Sequence, residues 1–270
     1  MVSLLDKSNA SCKIKEETDT VRGKNMKISL VTDIGQRRSN NQDFINRFDN
    51  KQGITLIVLA DGMGGHRAGN VASEMTVTDL GRAWVNTDFT EPEQIRDWFL
   101  VTLESENKHI YDLGQTEEYK GMGTTVEAIA LVGQTAVFAH IGDSRIGLVR
   151  DGHYTLLTSD HSLVNELVKA GQLTEEEAAS HPQKNIITQS IGQAQPVQPD
   201  LGYQELEEGD YLVANSDGLT NMISNSEIVG TLIGPGTPDE KSRELVNLAN
   251  NRGGLDNITV ALVHVESEDF

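Results

Sequence analysis

Four runs rich in Val, Ile and Leu follow one another between residues 125 and 158, with no space for a helix between them. They are Thr125–Val132, Ala136–Ile141, Arg145–Arg150 and Tyr154–Thr158. Parallel neighbours need a crossover of a dozen or more residues, so strands this closely spaced must pair antiparallel. Asp151-Gly152 between the last two is hairpin-turn chemistry. Further strands are expected at Lys27–Asp33, Ile54–Ala60, Asp210–Ala214 and Asn257–Val265. Helical periodicity covers Ala68–Val85, Pro92–Tyr111, Leu163–Ala170, Glu175–Ser180, Ser226–Ile233 and Pro238–Asn250. Pro92 and Pro238 stand at helix starts, where a missing N–H costs nothing, and Thr174-Glu-Glu-Glu177 has capping-box spacing. The helices fall in two clusters, so the expected class is α+β, an antiparallel β core with helices packed on it. Ser162–Ile191 interrupts the strands with two short helices and a His-Pro turn, and reads as a flap over one end of the core.

Residues 1–25 have no strand pattern, and the texture changes abruptly at Met26. They are read as an extension, disordered or foreign to the natural protein, ahead of a natural start at Met26. Residues 26–267 then form one catalytic domain. At 37% hydrophobic and 23% charged, the chain is an ordinary globular one. No apolar run reaches the ~20 residues that span a bilayer, and the N-terminus lacks a signal-peptide core. The single cysteine, Cys12, allows neither an intrachain disulfide nor a thiolate zinc cluster. The expected location is the cytoplasm. A formal charge of −19 disfavours nucleic acid and anionic membranes as partners.

The chemistry is sought where strands end. Ile54–Ala60 runs into Asp61-Gly62-Met63-Gly64-Gly65-His66. An aspartate on a rigid element, followed by glycines that expose backbone carbonyls, suits a hard cation; an Asp-Gly turn is the plainer reading. The pattern then recurs at Asp143, Asp217, Asp256 and Asp43, each beside an expected strand. Oxygen donors without a Cys pair or HExxH select Mg²⁺ or Mn²⁺ over zinc. There is no P-loop and no Gly-x-Ser-x-Gly elbow. His140, inside a strand, reads as structural, His153 and His264 read as exposed, and His66 stands out only by its nearness to Asp61.

Seven stretches together resemble the type 2C metal-dependent protein Ser/Thr phosphatases, the PPM family, in their bacterial form. They are Gly35-x-x-Arg38-x-x-Asn41-Gln42-Asp43, Ala60-Asp61-Gly62-Met63-Gly64-Gly65, Gly121-Met122-Gly123-Thr124-Thr125, His140-Ile141-Gly142-Asp143-Ser144-Arg145, Ser159-Asp160-His161-Ser162, Ser216-Asp217-Gly218-Leu219-Thr220 and Asp256-Asn257-Ile258-Thr259, in family order. The resemblance implies a four-layer α-β-β-α sandwich and a centre of two Mn²⁺ or Mg²⁺ ions. By match, Asp61 bridges the ions, the Gly62 carbonyl serves one, and Asp217 and Asp256 serve the other. Asp43 matches an acidic position beside the metals, and Asp143 with Asp217 matches a third-metal site. Arg38 matches the phosphate-binding arginine. The implied reaction is attack of a metal-bridging hydroxide on the phosphorus of phosphoserine or phosphothreonine in proteins. The implied partners are phosphorylated proteins and a cognate Ser/Thr kinase, and the expected state is a monomer.

Two positions depart from the family pattern. Gln42 stands where Glu is usual, and Met63 stands where eukaryotic members often carry the proposed general acid, leaving His66 as the candidate for that role. Three rival readings stay open: a phosphoprotein-binding module without turnover, a small-molecule phosphoesterase and a nuclease. The full aspartate set argues against the first and the charge of −19 against the last.

Overall fold

The computed structural model describes residues 26–64 and 68–266. In chain order, β1 (Met26–Asp33), β2 (Asp43–Asp49) and β3 (Thr55–Met63) precede the helices α1 (Ala68–Trp84) and α2 (Pro92–Gly114). Then come β4 (Gly123–Thr124), β5 (Val126–Val132), β6 (Thr135–Ile141), β7 (Arg145–Arg150) and β8 (His153–Leu156). The flap carries α3 (Leu163–Lys169) and α4 (Glu175–Ala179). The rest is β9 (Asp200–Glu205), β10 (Tyr211–Asn215), α5 (Asp217–Thr220), α6 (Asn225–Ile233), α7 (Pro238–Asn251) and β11 (Ile258–Val265).

The strands form two sheets in which every pairing is antiparallel. One has the order β1-β11-β10-β7-β8; the other has β2-β3-β5-β6-β9, with β4 on the end of β3. Side chains along a strand alternate faces, and the alternation here separates three apolar layers. On β3, Leu56, Val58 and Ala60 pack with α1 and α2, while Ile57 turns to the opposite sheet. On β10, Leu212 and Ala214 face the middle layer, while Tyr211 and Val213 face Leu232 of α6 and Leu245 of α7. Central strands buried on both faces read as unbroken apolar runs, which is why β3, β5 and β6 are prominent in the sequence. The α-β-β-α sandwich is thereby established.

Local chemistry fixes the joints. Asp151 has φ 50° and Gly152 φ 72°, the two left-handed positions that an Asp-Gly hairpin of type I′ requires. Thr174 with Glu177 and Thr237 with Glu240 form the capping boxes that start α4 and α7. Four elements go beyond the sequence-based expectations: β2, β4, β9 and α5. β2 and β9 are edge strands with only half-buried faces, so their polar residues dilute the apolar signal. A second correction concerns β3, which continues through Asp61 to Met63 instead of stopping at Ala60. His264 is half-buried and stacked on Tyr211, with ring centroids 4.1 Å apart, so the exposed reading holds only for His153.

Candidate metal centre

Ile57, Leu59 and Asp61 lie on one side of β3 by its two-residue period, so Asp61 continues the row that faces the other sheet. Asp43 is its direct cross-strand partner on β2. The middle apolar layer therefore ends in two carboxylates. The opposite sheet supplies Asp217, the first residue of α5 just past β10, and Asp256, just ahead of β11. Asp143 enters from the β6–β7 turn.

Each approach is sterically enforced. The Asp61 N–H donates to Thr125 Oγ1 (2.9 Å), and its carbonyl accepts from the Thr125 N–H (2.9 Å) and Thr124 Oγ1 (2.9 Å). Thr125 Oγ1 in turn lies 3.1 Å from Ser144 Oγ, which ties the Asp61 strand to the Asp143 turn. A Cβ on Gly62 would sit 2.1 Å from the Gly69 carbonyl oxygen, so only glycine lets α1 start so close to β3. A Cβ on Gly218 would sit 1.9 Å from the Asn257 carbonyl oxygen; that glycine brings Asp217 against the start of β11.

Asp43 is held by a one-way chain of donors. Asn41 Nδ2 donates to Thr32 Oγ1 (2.9 Å), Thr32 lies 2.7 Å from Thr259 Oγ1, and Thr259 donates to Asp43 Oδ2 (2.7 Å). Ser216 Oγ donates to the same oxygen at 2.8 Å. The other oxygen, Oδ1, is buried with no hydrogen-bond partner. Arg38 Nη2 donates to Asp256 Oδ2 at 2.6 Å, and both side chains are part-exposed at the rim.

The electrostatics are those of crowded anions. Burial, followed by the charges of Asp43, Asp217, Asp143 and Asp256, pushes the Asp61 carboxyl well above its ordinary range. Burial pushes Asp43 up to about 7 against the opposing hydrogen bonds of Thr259 and Ser216. Asp143 is pushed up to about 7 by burial and then by Asp217. Asp217 is pushed up to about 6 by burial and then by Asp256. Such a group is stable in its charged form only beside compensating cations. An all-oxygen donor set and a buried carboxylate oxygen without a donor fit hard divalent ions.

Asp43, Asp61, Gly62, Asp143, Asp217, Asp256 and Arg38 are thus all brought to one end of the sandwich. His66 lies outside the described residues. Gln42 packs its side-chain amide, Nε2 buried without a partner, against the start of α1, and its backbone carbonyl accepts from the Gly62 N–H (3.0 Å) and Ser73 Oγ (2.6 Å). Sequence reasoning assigned no role to Ser216, Thr259 or Asn257, although all three stand inside the matched stretches. Asn257 laces the loops, accepting from the Gln42 N–H (2.8 Å) and donating to the Ile34 (2.9 Å) and Asn40 (3.0 Å) carbonyls. Asp160 likewise takes Arg145 in a bidentate pair, Nε–Oδ1 2.9 Å and Nη2–Oδ2 2.7 Å. Beside the carboxylates a cavity of about 530 Å³ opens under the flap, between Asp143 and Asp217 on one side and Val164, Val168 and Ala178 on the other.

Comparison with known proteins agrees with this architecture. The family model described as protein phosphatase 2C matches residues 35–248. The protein phosphatase PhpP of Streptococcus pneumoniae is 62% identical over 244 residues, covering 90% of this chain and 99% of that protein. A solved structure of the S. agalactiae serine/threonine phosphatase superposes with a TM-score of 0.88 at 73% identity, over 89% of this chain and 100% of that one. The catalytic domain of the phosphatase PstP, solved with 2 manganese ions, superposes with a TM-score of 0.77 at 32% identity, over 90% of this chain and 99% of that one. The antiparallel α-β-β-α sandwich is the fold these structures share with this chain. The chain belongs to the protein phosphatase 2C family, and with it to the metal-dependent protein serine/threonine phosphatases.

Proposed function

We propose that Asp61, the Gly62 carbonyl, Asp217 and Asp256 hold two divalent ions, Mn²⁺ or Mg²⁺, and that Asp143 with Asp217 takes a third. The observation that carries this reading is the convergence of five buried or half-buried aspartates, drawn from both sheets, whose crowding raises the pKa of Asp43, Asp61, Asp143 and Asp217. The PstP catalytic domain with its two manganese ions supports the ion type and number. When bound, such ions lower the pKa of water and screen the phosphoryl oxygens, so no protein nucleophile is required.

The chain's own groups do the positioning. Asp43 sits behind the ligand carboxylates, locked by Ser216 and Thr259 with one oxygen free. Arg38, at the rim on Asp256, presents a planar fork that matches two phosphate oxygens, a geometry lysine lacks. The flap cavity receives the polypeptide around the phosphoresidue. We assign the proton donated to the leaving Ser or Thr oxygen to His66, a step worth ~10²–10⁴-fold. An aryl phosphate hardly needs that proton, so His66→Ala should slow phosphopeptides far more than p-nitrophenyl phosphate. Equal slowing would remove the assignment.

Among the described residues no helix is long and apolar enough to cross a membrane. The charge of −19, which repels anionic membranes, supports a cytoplasmic enzyme, and we take it to act as a monomer opposed by a Ser/Thr kinase; residues 1–25, read as an extension, lie outside the described residues. Hydrolysis of p-nitrophenyl phosphate and of a phosphothreonine peptide, with Mn²⁺ or with EDTA, tests the centre in wild type and Asp217→Asn. Both activities should vanish in EDTA and fall in the variant by ~10²–10³-fold, the cost typical of a lost charge stabiliser. Turnover that survives EDTA, or is indifferent to Asp217→Asn, refutes the assignment.

A further inference from the structure

A second group of potential ligands lies outside the aspartate centre. A ring nitrogen of His140, a ring nitrogen of His161 and a carboxylate oxygen of Asp200 are all within 4.8 Å of one another. The three come from separate elements: His140 from β6, Asp200 from its register partner on β9, and His161 from the neck of the flap. The two rings are tilted against each other, with centroids 4.6 Å apart and planes inclined by 37°.

The hydrogen bonds fix where the ring protons are. His140 Nδ1 faces Glu127 Oε1 at 2.7 Å, with both side chains fully buried. Its Nε2 faces the Ser159 carbonyl at 3.2 Å, and a carbonyl only accepts, so Nε2 carries a hydrogen. His161 Nδ1 accepts from the Gly142 N–H at 3.1 Å and from Gln189 Nε2 at 3.1 Å, so this ring keeps its hydrogen on Nε2. That Nε2 faces Asp200 Oδ2 at 3.4 Å, which is long for a hydrogen bond. It equals the edge of a tetrahedral zinc set, about 3.4 Å for ligand bonds of ~2.0–2.1 Å. His161 therefore turns Nε2 toward Asp200 with Nδ1 held from behind, while His140 has Nδ1 held by Glu127 and Nε2 against the Ser159 carbonyl.

We propose that His140, His161 and Asp200 form a binding site for a borderline divalent cation of the zinc class, distinct from the aspartate centre. One ion replaces the two Nε2 protons, which leave to solvent, and displaces the Ser159 carbonyl from His140 Nε2. Glu127 stays on His140 Nδ1, the carboxylate-backed arrangement that orients a metal-ligating imidazole and raises its basicity. Two imidazoles select zinc, cobalt or nickel over magnesium, in contrast to the all-oxygen donors of the aspartates. Asp200 is half-exposed, which gives the ion an entry path and leaves a position for water. The His161 carbonyl accepts from the Thr188 N–H (2.9 Å), and the His161 N–H donates to the Gly142 carbonyl (2.6 Å). A bound ion would fasten the flap neck, β6 and β9 together, next to the turn that carries Asp143.

The test is direct binding to the chelator-stripped full chain in saturating Mg²⁺, which occupies the oxygen-rich centre. Zn²⁺ is followed calorimetrically, and Co²⁺ by its visible absorption. Wild type should bind one equivalent of Zn²⁺ and show the bands of tetrahedral cobalt with nitrogen and oxygen ligands. Asp200→Asn and His161→Gln should weaken the binding by at least about tenfold, and Asp217→Asn should leave it intact. Asp200 is a half-exposed edge-strand residue whose amide variant keeps the shape of the side chain, so it decides the matter even if His161→Gln does not fold. Absence of that equivalent in wild type, undiminished binding in Asp200→Asn, or binding lost with Asp217→Asn would overturn the proposal.

Discussion

At the scale of single residues, Asp43 shows how the centre is built. Ser216 and Thr259 both spend their hydroxyls on Oδ2, which leaves Oδ1 buried with no donor. Removing either hydroxyl frees the carboxylate to turn without altering the aspartates around it. Ser216→Ala and Thr259→Val should each weaken divalent-ion affinity by about 10–100-fold, read from the Mn²⁺ concentration that gives half-maximal activity. Unchanged affinity would mean that Asp43 acts in packing alone. Arg38 makes a different prediction. Arg38→Lys keeps the charge beside Asp256 and loses the fork, so KM for a phosphopeptide should rise while metal affinity stays near wild type.

At the scale of elements, the closest contacts are glycine against another element. On α1, a Cβ added to Gly81 would fall 2.2 Å from the Phe48 ring of β2. Gly81→Ala should therefore cost about 1–3 kcal/mol, read from the urea midpoint, because the helix must lift off the sheet or the ring must turn. A midpoint within error of wild type would show that Phe48 yields freely. Gly218→Ala meets backbone instead, the Asn257 carbonyl, which has no rotamer to change. It should separate α5 from β11 and abolish metal-dependent turnover. These contacts follow from packing between segments far apart in the chain, so neither glycine looks different from a turn glycine in the sequence.

At the scale of the whole molecule, the carboxylates set the pH dependence of stability. Asp43 and Asp143 have their pKa raised from 3.8 to about 7 in the fold, and Asp217 from 3.8 to about 6. A raised carboxyl pKa means that the folded state holds the proton more tightly than the unfolded state. The stabilisation is full below the unfolded value and is lost as pH rises through the folded one. In EDTA, the melting temperature should therefore fall between about pH 4 and pH 7. A divalent ion should restore it most at the alkaline end, by about 2.7 kcal/mol when present at 100 times its Kd. A metal-free melting temperature that is flat or rising with pH would sink this account.

What the sequence determined by itself was local. Short-range spacing dictated the antiparallel strands from Thr125 onward, the Asp151-Gly152 hairpin and the caps of α4 and α7, because each depends on residues a few positions apart. The seven ordered stretches pointed to the family and singled out the five aspartates, Gly62 and Arg38, but gave no role to Ser216, Thr259 or Asn257. The tertiary structure decided the remainder. Edge strands β2 and β9 are stabilised by pairing that their own apolar content does not announce. Asp43 meets its donor Thr259 across 216 residues of chain, and His161 meets Gly142 and Asp200 only once the two ends of the flap have closed. Carboxylate crowding, an orphaned oxygen and the second ligand group are distances between folded elements, and those distances exist only after the two sheets have packed.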